Sequence, residues 1–240
     1  MNKKGDIYVD YTNLDGFKMK NDIRPRYIHP LSRSINLNIP SRTTHNFNDI
    51  FQLAPQYLAQ ALQLASYFQG AINPQNLSFD FNRALQIANS IPGGQINATI
   101  NETVVQQTLQ ISSMISHISN ILRNRFRYFA GQSFLNEITA AITNTFTNLN
   151  TQTSSAWVFW SSSTSTATGY YYNILFAITN FRWMVVLPVA VDIYVNVRKE
   201  KVLWFTIRDT AEYRVTIKAI EFSQIITGTT NMPIVDVFNT

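Results

Sequence analysis

The sequence predicts a single-domain α/β protein in which two helical hairpins precede a sheet of long strands. Three observations carry this reading. Apolar residues recur at helical spacing as far as about Phe146, and from Trp157 onward they alternate at period two. The chain has 240 residues, enough for one large core without requiring a second. It has no cysteine, so neither a disulfide framework nor a zinc–thiolate site can take the place of that core.

Residues Met1 to Arg33 mix charges with Gly5, Gly16, Pro25 and Pro30 and hold seven of the 19 Lys and Arg residues. This stretch reads as an arm or propeptide, with Arg24, Arg26 and Arg33 as protease targets. Ser34 to Ile39 alternates polar and apolar residues ahead of Pro40, the pattern of a short strand. Pro55, at a first-turn position, opens a helix that runs to Gln69 and stops at Gly70. A second helix spans about Ser78 to Asn89, and Pro92-Gly93-Gly94 forces the chain to turn.

A third helix is expected from about Glu102 to Tyr128, with Val104, Thr108, Ile111, Ile115, Ile118 and Leu122 on one stripe. Arg123, Arg125 and Arg127 then complement its C-terminal dipole. Gly131 separates a fourth helix, Gln132 to Phe146. After a Thr/Asn/Ser linker, strands are expected at Trp157–Ser161, Thr168–Asn180, Arg182–Arg198, Lys201–Arg208 and Glu212–Ile226.

Charge is scarce: 14% of residues are Asp, Glu, Lys or Arg, and none lies between Ile50 and Phe79 or between Ile138 and Phe181. Amides and hydroxyls take their place, and these leave water at far lower cost than ions do. Such a surface can change solvent. Trp183, Val185, Leu187, Val189, Val191, Ile193, Val195 and Val197 share one strand face, whereas a membrane-crossing strand needs only about 9–11 residues. In the water-soluble form this strand is expected to lie beneath the helices, and insertion would require them to move off. Val104, Ile111, Ile115, Ile118 and Leu122 form a second candidate lipid-contacting stripe, on the third helix. Met184 to Val191, the most apolar run, is too short for a membrane helix and contains Pro188. Asp6, Asp10, Asp15 and Lys18 interrupt the N-terminus, which lacks the apolar core of a signal peptide.

Catalytic chemistry is missing. The histidines, His29, His45 and His117, fall in the arm, a loop and a helix, and no triad is apparent. His45 and Asp49 are four apart, but two ligands do not make a metal site. No carboxylate pair or phosphate-cradling glycine loop stands out, so neither an enzyme nor a cofactor is expected. The net charge is +5. The basic excess is concentrated in the arm rather than on one face, which argues against a nucleic-acid partner. The residues favour a binding or membrane-active protein, the alternative being a lectin-like module that uses strand aromatics such as Tyr170, Tyr171 and Tyr172.

Several runs resemble the Cyt-type cytolytic δ-endotoxins, insecticidal crystal proteins of spore-forming bacilli. They include residues 140–149 (AAITNTFTNL), Ala156-Trp157-Val158-Phe159-Trp160, Tyr171-Tyr172-Asn173-Ile174-Leu175-Phe176 and, near the C-terminus, Pro233-Ile234-Val235-Asp236-Val237-Phe238. The match covers about Ser34 to Phe238 and is closest to the second subfamily. The resemblance implies a three-layer α-β-α fold, with two helical hairpins flanking a mostly antiparallel sheet. It also implies a precursor homodimer stored in a parasporal crystal, proteolytic activation, direct phospholipid binding, membrane oligomers and other crystal toxins as further partners. Carried onto this chain, it divides the sequence into an arm (1–33), a toxin domain (34–238) and a C-terminal remnant (239–240). Trimming is expected at Arg33-Ser34 and, because the chain stops two residues past Phe238, at the N-terminus only.

Overall fold

The structure, a computed structural model, describes residues 46–126, 128 and 132–226. The first strand, β1 (Asn48–Gln52), leads through a 3-10 turn at Pro55–Tyr57 into α1 (Leu58–Gln69). α1 is rich in Leu, Ala and Gln, all good helix formers, and directs Ala61, Leu64, Ala65 and Phe68 into the core. α2 (Phe81–Ser90) starts where the Asp80 side chain accepts a hydrogen bond from the Arg83 backbone N–H at 2.9 Å. Together α1 and α2 form the first hairpin.

β2 (Gly94–Gln110) follows directly and hands over to α3 (Ile111–Arg125). The expected third helix is therefore corrected: its first third, through Gln110, is a strand, paired antiparallel with the last strand from Gly94↔Gln224 to Gln110↔Thr210. Ile96, Thr99, Ile100, Thr103, Val104 and Thr108 are β-branched, and pairing with a long partner strand outweighs a helical spacing that they match only by coincidence. From Ile111 the helix is as expected, with Arg123 and Arg125 in its last turn. α4 occupies Gln132–Phe146, as read from the sequence, and packs against α3 as the second hairpin. α5 is a single turn, Leu149–Gln152, in what the composition suggested was linker.

The remaining strands are β3 (Val158–Ser163), β4 (Thr168–Asn180), β5 (Trp183–Val195) and β6 (Thr210–Ile225). A short helix, α6 (Lys199–Val202), stands where a strand was expected at Lys201–Arg208. Val202 and Phe205 are both buried and lie three apart, a turn-and-helix spacing, and the Asp209 carboxylate closes the loop by accepting from Thr206 N at 2.6 Å and Thr206 Oγ1 at 2.9 Å.

Among the described residues the sheet has six strands in the order β1-β4-β5-β6-β2, with β3 further along the same edge of β4 as β1. Every pairing is antiparallel except β1 with β4. One sheet face packs on α3 and α4, through Ile115, Ile118, Leu122, Ile138 and Phe146. The other face packs on α1 and α2, through Leu64, Phe68, Ala84 and Ile87. This is the three-layer α-β-α arrangement.

Candidate functional site

β5 is the centre of the molecule. Its odd positions, Val185 through Val195, are buried beneath α3 and α4, with Trp183 partly buried at the end of the same row. Its even positions Met184, Val186 and Ala190 are buried beneath α1 and α2. Val197 lies just past the strand, packed against the first of these clusters. A strand covered on both faces reads as a continuous apolar run rather than an alternating one, which is why the Met184–Val191 segment is so apolar.

The neighbouring strands make the two sheet faces unlike. Under α3 and α4, β4 presents Tyr170, Tyr172, Ile174 and Phe176, and β6 presents Tyr213, Val215, Ile217 and Ala219, so that with β5 they form an unbroken apolar surface. Glu221 closes that face at one end, buried and accepting from the Tyr128 backbone N–H at 3.1 Å. Desolvation pushes its carboxyl up to about 7. Under α1 and α2 the same strands carry polar groups: Asn173 donates to the Leu77 carbonyl at 2.9 Å, and Lys218 pairs with Asp192 at 2.8 Å. On that side too lies Asp49 of β1, beside Leu175 and between Phe47 and Phe51 in sequence. Neither of its oxygens has a hydrogen-bond partner, and burial raises its carboxyl to about 7.

Ile111, Ile115, Ile118 and Leu122 are all buried, so the apolar stripe of α3 is the contact between helix and sheet and not an open surface. Val104 does not belong to that helix; it sits in β2, opposite Val215, and is partly buried. The outward faces of the helices are polar and nearly uncharged: Gln63, Ser66 and Tyr67 on α1, and Ser113, Ser116, His117 and Asn120 on α3. Tyr170 and Tyr172 lie in the core, their hydroxyls donating to the Thr145 carbonyl at 2.7 Å and to Gln152 Oε1 at 2.6 Å, rather than on a sugar-facing surface. Arg33, Ser34 and His45, with the strand expected at Ser34–Ile39, lie outside the described residues. Among the described residues no three His, Asp or Glu side chains come close enough to hold a metal ion, and no helix is long and apolar enough to cross a membrane.

A meander of 13- to 16-residue strands, apolar on one face and mixed on the other, lies between two layers of low-charge helices in a three-layer α-β-α fold. Residues 28–240 match the family model described as Bacillus thuringiensis toxin. The chain is 46% identical over 234 residues to a type-2Bb cytolytic delta-endotoxin of Bacillus thuringiensis subsp. jegathesan, covering 95% of this chain and 88% of that one. It is 47% identical over 211 residues to the type-2Aa protein of subsp. kyushuensis, covering 86% and 81%. The crystal structure of activated Cyt2Ba monomer from subsp. israelensis superposes with a TM-score of 0.71 at 44% identity, covering 75% of this chain and 98% of that one. The chain belongs to the Bacillus thuringiensis toxin family, among the cytolytic delta-endotoxins.

Proposed function

We propose that this toxin lyses cells by permeabilising phospholipid bilayers itself, after removal of its N-terminal arm at Arg33-Ser34. The observation that carries this is the unbroken apolar face that β4, β5 and β6 present beneath α3 and α4, opposite a face holding Asn173, Asp192 and Lys218. A transmembrane barrel is made of strands with one lipid-compatible face and a second face that can carry polar groups; here the second face is mixed, and β4 to β6 exceed the roughly 9–11 residues needed to span. Backbone groups in lipid must all be paired, so insertion requires oligomer closure. The helical layers leave the sheet for the lipid surface, where their outer faces, polar and low in charge apart from Arg83, Arg123 and Arg125, cost little to desolvate. Before activation the precursor is held as a homodimer in a crystal within the producing cell, and it acts at gut-cell membranes after ingestion.

Dye release from protein-free phosphatidylcholine vesicles, comparing the intact chain with a trypsin-trimmed one, tests this. Release that rises on trimming is expected, whereas no release from either form would overturn direct permeabilisation. Environment-sensitive labels at Ile115 and Val189 separate the elements: Val189 should become lipid-facing, while a lipid-facing Ile115 with Val189 unchanged would make the helices the inserted part.

A further inference from the structure

The two ends of the sheet differ in charge. At one end β5 runs out and β6 begins, joined by a segment holding Arg198, Lys199, Glu200, Lys201, Arg208 and Asp209. At the other end four segments are tied together. The Phe181-Arg182 loop joins β4 to β5, and the Arg182 carbonyl accepts from Ile226 N at 2.8 Å. Ile225 pairs with Trp183. Gln60 near the start of α1 donates to the Ile225 carbonyl at 2.9 Å, and Gln224 donates to the Pro92 carbonyl at 3.0 Å. Across 52–60, 92–96, 180–184 and 223–226 there is one charged side chain, Arg182, and no carboxylate.

The tip of this end is built against the usual preferences. Phe181 has φ of 52° at the first position of a two-residue hairpin loop, where the left-handed backbone ordinarily selects Gly or Asn, and a bulky side chain there is strained. Its ring is 88% exposed, more than any other large hydrophobic side chain described, and Ile225, paired with Trp183 at the foot of the loop, is 51% exposed. Folding explains neither the strain nor the exposure.

We propose that this charge-poor end, with Phe181 at its tip, is the surface by which the toxin first docks on a phospholipid bilayer. Phe181 and Ile225 enter the boundary between headgroups and acyl chains, Trp183 lies at the interface, and the Arg182 guanidinium meets a lipid phosphate. The chemistry favours a zwitterionic bilayer over a protein or a sugar. A single protruding ring offers no platform for a sugar, a lone cation suits scattered phosphates, and no carboxylate among these segments repels them. The inference rests on the permeabilising activity proposed above and assigns the docking surface for it.

The test uses the full chain, before and after tryptic trimming, on phosphatidylcholine vesicles. Phe181→Gly suits the loop backbone better, so the variant should fold at least as stably as the native chain while its vesicle partitioning falls about tenfold or more. Because the chain has no cysteine, single labels at Asn180→Cys, next to the Phe181 tip, and at Trp204→Cys report on the two ends without competing sites and leave the Phe181 ring in place. The label at 180 should move into an apolar environment before dye is released, and the label at 204, a position 71% exposed at the charged end, should not. A native chain that neither binds nor permeabilises overturns the membrane reading and this inference with it. A native chain that binds, beside a Phe181→Gly variant that binds equally well, overturns the docking surface alone. So does a variant that loses self-association while keeping lipid affinity, since the tip would then be a contact between copies.

Discussion

Lys218 on β6 and Asp192 on β5 form a diagonal pair on the sheet face beneath α1 and α2, Nζ to Oδ2 at 2.8 Å, with the Phe79 carbonyl also accepting from Nζ at 3.2 Å. The pair is about four-fifths buried, and Asp192 Oδ1 has no hydrogen-bond partner. Burial pushes the Asp192 carboxyl up, while Lys218 draws it back. Lys218→Met strands the carboxylate, at a cost of about 1–3 kcal/mol allowing for residual solvent contact. The loss should be largest at alkaline pH, where the acid cannot escape by protonation. Asp192→Asn combined with Lys218→Met should recover most of it, as denaturant titrations at pH 6 and pH 9 would show.

Asp49 makes stability pH-dependent in a defined direction. Its carboxyl is raised from 3.8 to about 7 in the folded chain, so folding favours the neutral acid. That contribution is complete below about pH 4, declines as pH rises toward 7 and is gone above it, on the order of 4 kcal/mol in all. Asp49→Asn should flatten the stability curve between pH 4 and 8 and make the variant the more stable form at pH 9. Glu221, also raised to about 7, should leave a residual slope of the same sign that Glu221→Gln removes.

Gly94 begins β2 directly against the Phe222 ring, which is itself packed edge-on against Phe68 at 5.7 Å. A methyl group there displaces that ring. Gly94→Ala is expected to cost about 1–3 kcal/mol by overpacking. Gly93→Asn, one residue earlier at φ of 67° with nothing nearby, should cost far less, since Asn tolerates that backbone region. Thermal unfolding of the two variants compares them directly.

If activation follows cleavage after Arg33, Arg33→Gln should move the tryptic N-terminus away from Ser34 and lower vesicle dye release after digestion. Intact-mass measurement of the digest reports the first effect. Unchanged release, with the arm retained to residue 33, would separate activity from trimming.

Helix and strand identity was legible where one periodicity dominated. α1, α2, α4, β4, β5 and β6 were readable because their apolar residues repeat at 3.6 or 2 with Pro, Gly or Asn at the ends. β2 was not, because Val104 and Thr108 fit a helical stripe, and only pairing with Val215 and Glu212 on β6 decides otherwise. β1 was also missed: five residues are too short for a pattern, and its parallel place beside β4 comes from contacts 126 positions apart in sequence, such as Ile50↔Phe176. The candidate membrane strand was readable as a row of odd positions, whereas the burial of Met184, Val186 and Ala190 on its reverse was not.

The sequence by itself determined the class of molecule: a cysteine-free, charge-poor α/β chain with one strand of unusual apolar length. These are properties of residue type and local spacing, which the chain carries in any environment. Only the tertiary structure decided which surfaces those residues meet. It buries the α3 stripe against the sheet, makes one sheet face apolar and the other mixed, strands Asp49 without a partner and leaves Phe181 alone in solvent. Each of those outcomes depends on which distant segments pack together, and spacing along the chain does not encode that.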